Sequence, residues 1–127
     1  MFELPEYLVL ASQIRSELLG KKLRRASTKN VEHRFVWHNL EPGDFAAAAQ
    51  GRTIGQPRVR GKWMSVPLEP GYVLLIGECG GDLRYEASAA SAPRSYHLLI
   101  EFEDGSALWA RTGMWGAYEL YKAGEEL

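Results

Sequence analysis

The chain has 127 residues, of which 46% are hydrophobic and 24% charged, and its formal net charge is −1. This composition is ordinary for a globular protein, and the length predicts one domain with its own core. The apolar runs are too short to cross a bilayer, which takes roughly 20 residues. The first residues include acids where a secretion signal would carry basic residues, so a cytoplasmic location is expected.

The few residues that commonly bind metals do not predict a metal site. The single cysteine, Cys79, excludes an internal disulfide and a zinc site built from several thiolates of this chain. His33, His38 and His97 share no metal-ligand spacing and are interpreted as structural or surface residues. We therefore expect no cofactor in this chain. Most of the four tryptophans are expected in the core, with Trp37 as a candidate for stacking on a base.

The small net charge hides a division along the chain. Residues 1–62 contain eleven Lys or Arg and six Asp or Glu, a balance of +5, whereas residues 63–127 contain four and ten, a balance of −6. The first half is therefore the stronger candidate to bind a polyanion. Its candidate side chains are those of Lys21, Lys22, Arg24, Arg25, Lys29, Arg58, Arg60 and Lys62. Taken alone, a pI near 6.3 favours the alternative that these side chains simply solvate exposed strand faces.

Two helices are predicted, over residues 5–19 and 43–50. In the first, apolar residues at 7, 10/11, 14 and 18 form one stripe, and Gly20 suits the position just past the end. In the second, Asp44 is the predicted cap, an alanine run favours the helix, and Gly51 ends it.

The rest of the chain is predicted to form short strands separated by turns. The predicted strands cover residues 22–28, 33–38, 53–60, 62–68, 72–78, 83–87, 96–103, 106–111 and 115–122. The Asp-Gly pair at 104–105, between two alternating runs, is the strongest hairpin signal. Residues 87–95 are small and polar and predict a mobile surface loop. These elements predict a mainly β fold, an antiparallel sandwich or barrel flanked by two helices.

Four motifs, taken in order, resemble one enzyme family. Residues 3–6 read Glu-Leu-Pro-Glu and directly precede the first predicted helix. Residues 50–54 read Gln-Gly-Arg-Thr-Ile, and residues 58–63 read Arg-Val-Arg-Gly-Lys-Trp. The hairpin at 102–108 is followed by Trp-Gly-Ala at 115–117. Together they resemble the N-terminal domain of the bacterial formamidopyrimidine-DNA glycosylase/endonuclease VIII family.

The resemblance implies an enzyme of base-excision repair. Enzymes of this family are DNA glycosylases and AP lyases, which flip a damaged base out of the duplex, cleave its glycosidic bond and nick the backbone. The partner it implies is double-stranded DNA with a damaged base or an abasic site, bound in the bacterial nucleoid; we expect a monomer. The family nucleophile is an N-terminal proline, whose amine forms a Schiff base beside a carboxyl group that acts as acid and base.

The nucleophile position departs from the family. Position 2 is Phe2 instead of proline, and so bulky a residue is expected to keep Met1 in place. The terminal amine then belongs to Met1, one residue farther from Glu3, and a displacement of ~1 Å can already cost a hundredfold in rate. A primary amine can still form an imine, so the resemblance leaves lyase activity reduced but not excluded.

Several other positions match the family's functional residues. Glu3 occupies the acid–base position, and Lys62 matches the lysine that contacts phosphate and damage. Without the resemblance, Glu3 is better explained as a carboxylate favoured by a helix dipole, and the alternative for Lys62 is a solvated strand lysine. With the resemblance, the two explanations of Glu3 are equally good, and phosphate contact is the better explanation of Lys62. Arg58, Arg60 and Arg111, together with Lys62, are expected to contact DNA.

Two elements of the flipping machinery are missing. Where the family has a methionine that fills the gap left by the flipped base, residues 77–82 read Gly-Glu-Cys-Gly-Gly-Asp, with Gly80 at the wedge position. Where the family has Asp-Pro-Arg-Arg, residues 111–114 read Arg-Thr-Gly-Met. Met114 is either a substitute wedge or a core residue. The acids in the first segment would also repel phosphate.

The sequence leaves three functions open. The leading one is the N-terminal domain of a divergent glycosylase/AP lyase. Its helix–two-turn–helix half and the zinc that half commonly holds would lie in a longer parent, so this domain alone is expected to show little catalysis. The second is a non-catalytic relative that binds or scaffolds damaged DNA. The third is a protein-interaction domain unrelated to DNA.

Overall fold

The computed structural model describes residues 4–28, 36–77, 81–112 and 116–125. Helix α1 covers Leu4–Glu17 and helix α2 covers Pro42–Ala49. The strands are β1 (Leu23–Thr28), β2 (Val36–His38), β3 (Thr53–Ile54), β4 (Arg58–Arg60), β5 (Trp63–Glu69), β6 (Tyr72–Gly77), β7 (Gly81–Glu86), β8 (Leu98–Phe102), β9 (Ala107–Thr112) and β10 (Gly116–Lys122). No helix in the described ranges is long and apolar enough to span a membrane.

The strands form two sheets that pack face to face. One sheet has four strands in the order β1-β8-β9-β7, and the other has the order β2-β10-β6-β5-β3, with β4 also paired to β5. Along β5, Met64, Val66 and Leu68 point inward and alternate with partly exposed residues. Because successive strand residues face opposite sides, this alternation makes one face of each sheet a core face. The predicted mainly β sandwich with two helices is confirmed.

Helix α1 packs its predicted stripe into the same core. Tyr7, Ala11, Ile14 and Leu18 are all buried, as their spacing of three to four residues predicts. The chain then turns at Gly20, whose φ of +86° few other residues adopt readily. The amide of Gly20 donates to the Ile54 carbonyl at 2.9 Å, which joins the end of the helical region to β3.

Helix α2 begins earlier than predicted. Its N-cap is Glu41, without a side-chain capping bond, and Pro42 takes the first helical position. Asp44 therefore lies within the first turn, and its prediction as the cap was wrong. Proline is favoured at that position because its fixed φ suits a helix and the first amide needs no helical partner. Gly51, with φ of +80°, follows the helix as predicted.

Two details of the sheets differ from the prediction. The sandwich is not wholly antiparallel, since β2 runs parallel to β10. The strand predicted over 53–60 is split into β3 and β4 by residues 55–57. Gly55 lies against β5, where a Cβ would come 2.8 Å from the Cβ of Pro67. Pro57 lacks the amide that a continuous ladder needs.

The surface segment between β7 and β8 is more regular than expected. It contains a short 3-10 helical turn, Ala89–Ser91, that was not predicted. Ser88 caps this turn by accepting a hydrogen bond from the Ala90 amide at 3.3 Å. The amide of Ala89 donates to the Gly105 carbonyl, and that of His97 donates to the Ala110 carbonyl. These bonds tie both ends of the segment to the four-stranded sheet.

Candidate nucleic-acid interface

Several strand ends and one tight turn meet at the same end of the sandwich, here called the Lys62 end. Trp63 pairs with Gly77, which also pairs with Ala117, and Gly81 pairs with Thr112 in the other sheet. Residues paired in register on neighbouring strands lie side by side, so the strand ends that carry these residues lie at the same end of each sheet. The described residues that define the Lys62 end are Thr28, Gly61, Lys62, Gly77, Gly81, Thr112 and Gly116.

Helix α1 begins at this end. Its far end lies beside Ile54 and leads to Lys21, which bonds to the turn between β8 and β9 at the opposite end. A helix of 14 residues is about 21 Å long, close to the ~23 Å of the seven-residue strand β5. The start of α1 therefore lies at the Lys62 end.

Lys62 occupies the two-residue turn between β4 and β5. Gly61 opens the turn with φ of +60°, a conformation that glycine adopts without strain. Lys62 is exposed, and in the described part of the chain no carboxylate forms an ion pair with it. The prediction of a strand lysine was off by one residue, since β5 begins at Trp63. A turn position extends the ammonium group beyond the strand ends.

Arg58 and Arg60 lie on β4, next to this turn. They pair with Ser65 and Trp63, while Val59 between them packs against the core. Both arginines are exposed and therefore point to the outer face of the six-stranded sheet. Arg60 is next to the turn of Lys62, and Arg58 is two residues farther along the strand.

Arg111 is placed differently. It is exposed on β9 between the buried residues Ala110 and Thr112, so it points to the outer face of the four-stranded sheet. The core of the sandwich separates it from the arginines of β4. Its register partner is Asp82, whose carboxylate accepts a hydrogen bond from Arg84 at 3.2 Å. The four predicted DNA contacts therefore do not form one continuous patch.

Four of the other basic residues described in the first half are paired with acids. Lys21 lies 2.6 Å from Asp104, and Lys22 lies 4.0 Å from Glu103. Arg24 and Arg25 both contact Glu101, which is only 7% exposed. The hydrogen bond from Lys21, followed by those from Ser106, holds the pKa of the Asp104 carboxyl well below its usual range.

This pairing corrects the interpretation of the charge division. The positive first half and the negative second half meet along β1 and β8, where their charges compensate each other within the fold. Because they are paired with acids, Lys21, Lys22, Arg24 and Arg25 are weaker candidates for a polyanion surface than exposed cations without such a partner. Lys29 lies outside the described residues. Arg58, Arg60 and Lys62 remain as exposed cations without an acidic partner among the described residues.

A buried polar network lies behind the Lys62 end. The hydroxyls of Thr112 and Tyr118 are 2.5 Å apart and join the two sheets. The Thr112 amide donates to Nδ1 of His97 at 2.9 Å, so that nitrogen carries no proton. Nε2 of His38 lies 2.9 Å from the His97 carbonyl and must be the donor. The interpretation of these histidines as structural or surface residues did not anticipate this network, whose partners are distant in sequence.

Within residues 4–28, 36–77, 81–112 and 116–125, no three His, Cys, Asp or Glu side chains come together as metal ligands would. At the Lys62 end these ranges contain the exposed cation Lys62 and the hydroxyl pair Thr112–Tyr118.

A family model for the formamidopyrimidine-DNA glycosylase N-terminal domain matches residues 1–111. The chain belongs to this family. The family predicted from the four sequence motifs is confirmed, and with it the N-terminal domain of a DNA glycosylase.

Curated relatives of the formamidopyrimidine-DNA glycosylase family support this assignment. The chain is 31% identical over 108 residues to a formamidopyrimidine-DNA glycosylase of Geobacter metallireducens, covering 85% of this chain and 39% of the relative. It is 35% identical over 101 residues to a formamidopyrimidine-DNA glycosylase of Nocardioides, and this match covers 79% of this chain and 33% of the relative. The chain thus spans less than half the length of these glycosylases.

Solved structures of the glycosylase family share the fold. Formamidopyrimidine-DNA glycosylase of Lactococcus lactis, bound to DNA containing an AP site, matches with a TM-score of 0.77 and 24% identity, over 95% of this chain and 45% of that one. MutM in complex with DNA containing carbocyclic 8-oxo-G matches with a TM-score of 0.79 and 21% identity, over 96% and 45%. The match extends over nearly all of this domain.

Several predicted site positions of this family lie outside the described residues. They are Met1 and Glu3 at the start of the chain, and Gly80 and Met114 in the two segments that differ from the family. Lys62, Arg58, Arg60 and Arg111 are described, and their roles in DNA binding remain predictions.

Proposed function

We propose that this chain acts in base-excision repair as the N-terminal part of a DNA glycosylase/AP lyase with an altered nucleophile. Its substrate is duplex DNA that contains a damaged base or an abasic site. Lys62 contacts the backbone phosphate, the amine of Met1 replaces that of the family proline, and Glu3 is the acid and base for the opened sugar.

The position of Lys62 supports this proposal most directly. An exposed ammonium group without an acidic neighbour in the described structure stands at the end where α1 begins. A phosphate bound there would hold the duplex beside the start of the chain, where an amine nucleophile would have to lie. An ammonium group suits this role because it is a compact charge that neutralises a phosphate and releases counterions.

Phe2 favours a second candidate function, the recognition of damaged DNA without chemistry. The secondary amine of proline is absent, and the terminal amine of a retained Met1 is displaced by one residue. In this case the sandwich and Lys62 would still bind the duplex, and no covalent intermediate would form.

Borohydride trapping on DNA with an abasic site distinguishes these candidates. A chimera in which this chain replaces the matched part of the Geobacter metallireducens relative provides the part of a glycosylase that this chain does not cover. An adduct mapped to Met1 by mass spectrometry supports the lyase. Salt-sensitive duplex binding without an adduct supports the binder, and the absence of both contradicts the two proposals.

The matched control is the Phe2→Pro chimera. Proline at position 2 restores the small second residue that permits methionine removal and provides a secondary amine. An adduct at the terminal proline amine of that variant, beside a weak or absent adduct at Met1 of the parent chimera, would locate the defect in the nucleophile. If neither chimera bound DNA, the defect would instead lie in the β-sandwich of this chain.

A further inference from the structure

One row of side chains crosses the outer face of the six-stranded sheet. From β4 to β2 the register pairs Arg60 with Trp63, Trp63 with Gly77, Gly77 with Ala117, and Ala117 with Trp37. Residues in register on neighbouring strands share a face. Their chain neighbours Met64, Ile76 and Tyr118 are buried in the core, so the row points outward.

The two tryptophans of this row are separated by small residues. Trp37 is 61% exposed, although large apolar side chains are normally covered. Trp63 is half-buried, and its six-membered ring fills the space that a side chain at Gly77 would need. Three strand spacings of ~4.8 Å place the backbones of the two tryptophans about 14 Å apart. The Trp63 ring thus covers Gly77, Ala117 beside it is buried, and Trp37 is the exposed indole at the other end of the row.

Cations border this strip on one side. Arg58 lies on the same face of β4, two residues before Arg60. Both are exposed, without an acidic partner in the described structure. Both arginines line a groove with Trp63 and Tyr121, and two acids, Glu119 and Glu125, line it as well. The carboxylate of Glu119 accepts a hydrogen bond from the Tyr121 hydroxyl at 3.1 Å, which holds it toward Tyr121 on its own sheet.

We propose that this face, defined by Trp37, Trp63, Arg58 and Arg60, binds an unpaired DNA strand. The guanidinium groups contact its phosphates, and its bases stack on the two indoles. Exposed aromatic side chains on a sheet stack bases of single strands, and cations beside them track the backbone. The inference rests on the proposed function in taking DNA as the nucleic acid, but it uses the outer face of the six-stranded sheet, next to the turn that carries Lys62.

Binding of a labelled twelve-residue oligothymidylate to the 127-residue chain, followed by fluorescence anisotropy, tests this inference. Trp37→Ala is expected to weaken binding by about 5- to 150-fold, the loss expected for one stacked base. Trp37→Phe keeps an aromatic face and should retain most of the affinity. Leu8→Ala, which removes another exposed apolar side chain (54% exposed), should have no effect.

The arginines have a separate signature. The double variant Arg58→Ala/Arg60→Ala is expected to lower the slope of log affinity against log salt by about 1.4, since each single-strand phosphate contact contributes ~0.7. Arg84→Ala, an exposed arginine of the other sheet, should leave the slope unchanged. An unchanged affinity in Trp37→Ala and in the arginine variant would overturn the inference.

Two further outcomes would also overturn it. One is that oligouridylate of equal length binds and the DNA strand does not. The other is that sedimentation shows a dimer that Trp37→Ala dissociates, which would make a second copy the occupant. Failure of the proposed function would give a different result. The affinity for duplex DNA would then be the same in Lys62→Ala as in the parent chain, while Trp37→Ala would still weaken single-strand binding.

Discussion

The ammonium group of Lys21 lies 2.6 Å from the carboxylate of Asp104, although 83 residues separate the two in sequence. It also donates to the Tyr85 hydroxyl at 3.0 Å and to the Ser106 hydroxyl at 2.9 Å. Asp104 in turn accepts from the Ser106 amide at 2.9 Å. This cluster joins the end of the α1 region to the turn between β8 and β9, opposite the Lys62 end.

Asp104→Asn should therefore make stability less sensitive to acid. The pKa of Asp104 is lowered in the folded chain, so the charged carboxyl stabilises the fold above its unfolded pKa of roughly 3.9. That contribution is lost as the pH falls through the lower folded pKa. Urea midpoints of the parent chain and the variant should differ at pH 7, and the difference should narrow steadily as the pH falls below about 4.

Glu103→Gln is the matched control for this experiment. Glu103 lies 4.0 Å from Lys22, and both side chains are more than half exposed, so little stability should depend on that pair. A difference between the parent chain and Asp104→Asn that stays constant from pH 7 to pH 2.5 would contradict the role assigned to the carboxylate.

The local parts of the fold could be predicted from the sequence, and the non-local parts could not. The stripe of α1 and the hairpin at 104–105 depend on residues close in the chain. The pairing of Lys21 with Asp104 depends on which strands become neighbours, so the charge division along the sequence could not show it. Of the four tryptophans, only Trp109 is buried among those described, while Trp37 and Trp63 face outward because of their register. Trp115 lies outside the described residues.

The candidate site shows the same limit. Lys62 was expected on a strand, and a shift of one residue at the start of β5 places it in the turn instead. Strand boundaries are set by pairing across the sheet, so sequence patterns locate them only approximately. The family motif located Lys62, Arg60 and Arg58 together, but only the register shows that the arginines share a face with Trp63.

Gly77→Ala should disturb Trp63. A Cβ at position 77 would overlap the indole ring, so either the ring or the strand has to move. Overpacking of this kind costs about 1–3 kcal/mol of unfolding free energy. Gly43→Ala is the control, since a Cβ there meets no atom within 4 Å and alanine suits a helix. Equal urea midpoints for the two variants would show that the indole ring of Trp63 can move without a loss of stability.

The hydroxyl pair Thr112–Tyr118 can be measured by a double-mutant cycle. Both residues are at most 3% exposed, so Tyr118→Phe leaves a buried hydroxyl without this partner and should cost about 1–3 kcal/mol. Thr112→Val should cost a similar amount. The double variant should lose less than the sum of the two single losses, because neither hydroxyl is then left unmatched. Strictly additive losses in urea unfolding would argue that the two hydroxyls do not interact.

Lys62→Ala tests the duplex interface directly. Removal of one phosphate contact should weaken binding of a duplex with an abasic-site analogue and lower the salt slope by about 0.9. Lys122→Ala is the control, because Lys122 is exposed at the far end of β10, opposite the Lys62 end. Both affinities are read by anisotropy at several salt concentrations. Since the removed contact is to the DNA backbone, Lys62→Ala should weaken the binding of undamaged duplex DNA by a similar factor. If Lys122→Ala changed the slope as much as Lys62→Ala does, binding would follow total charge and the Lys62 end would have no special role.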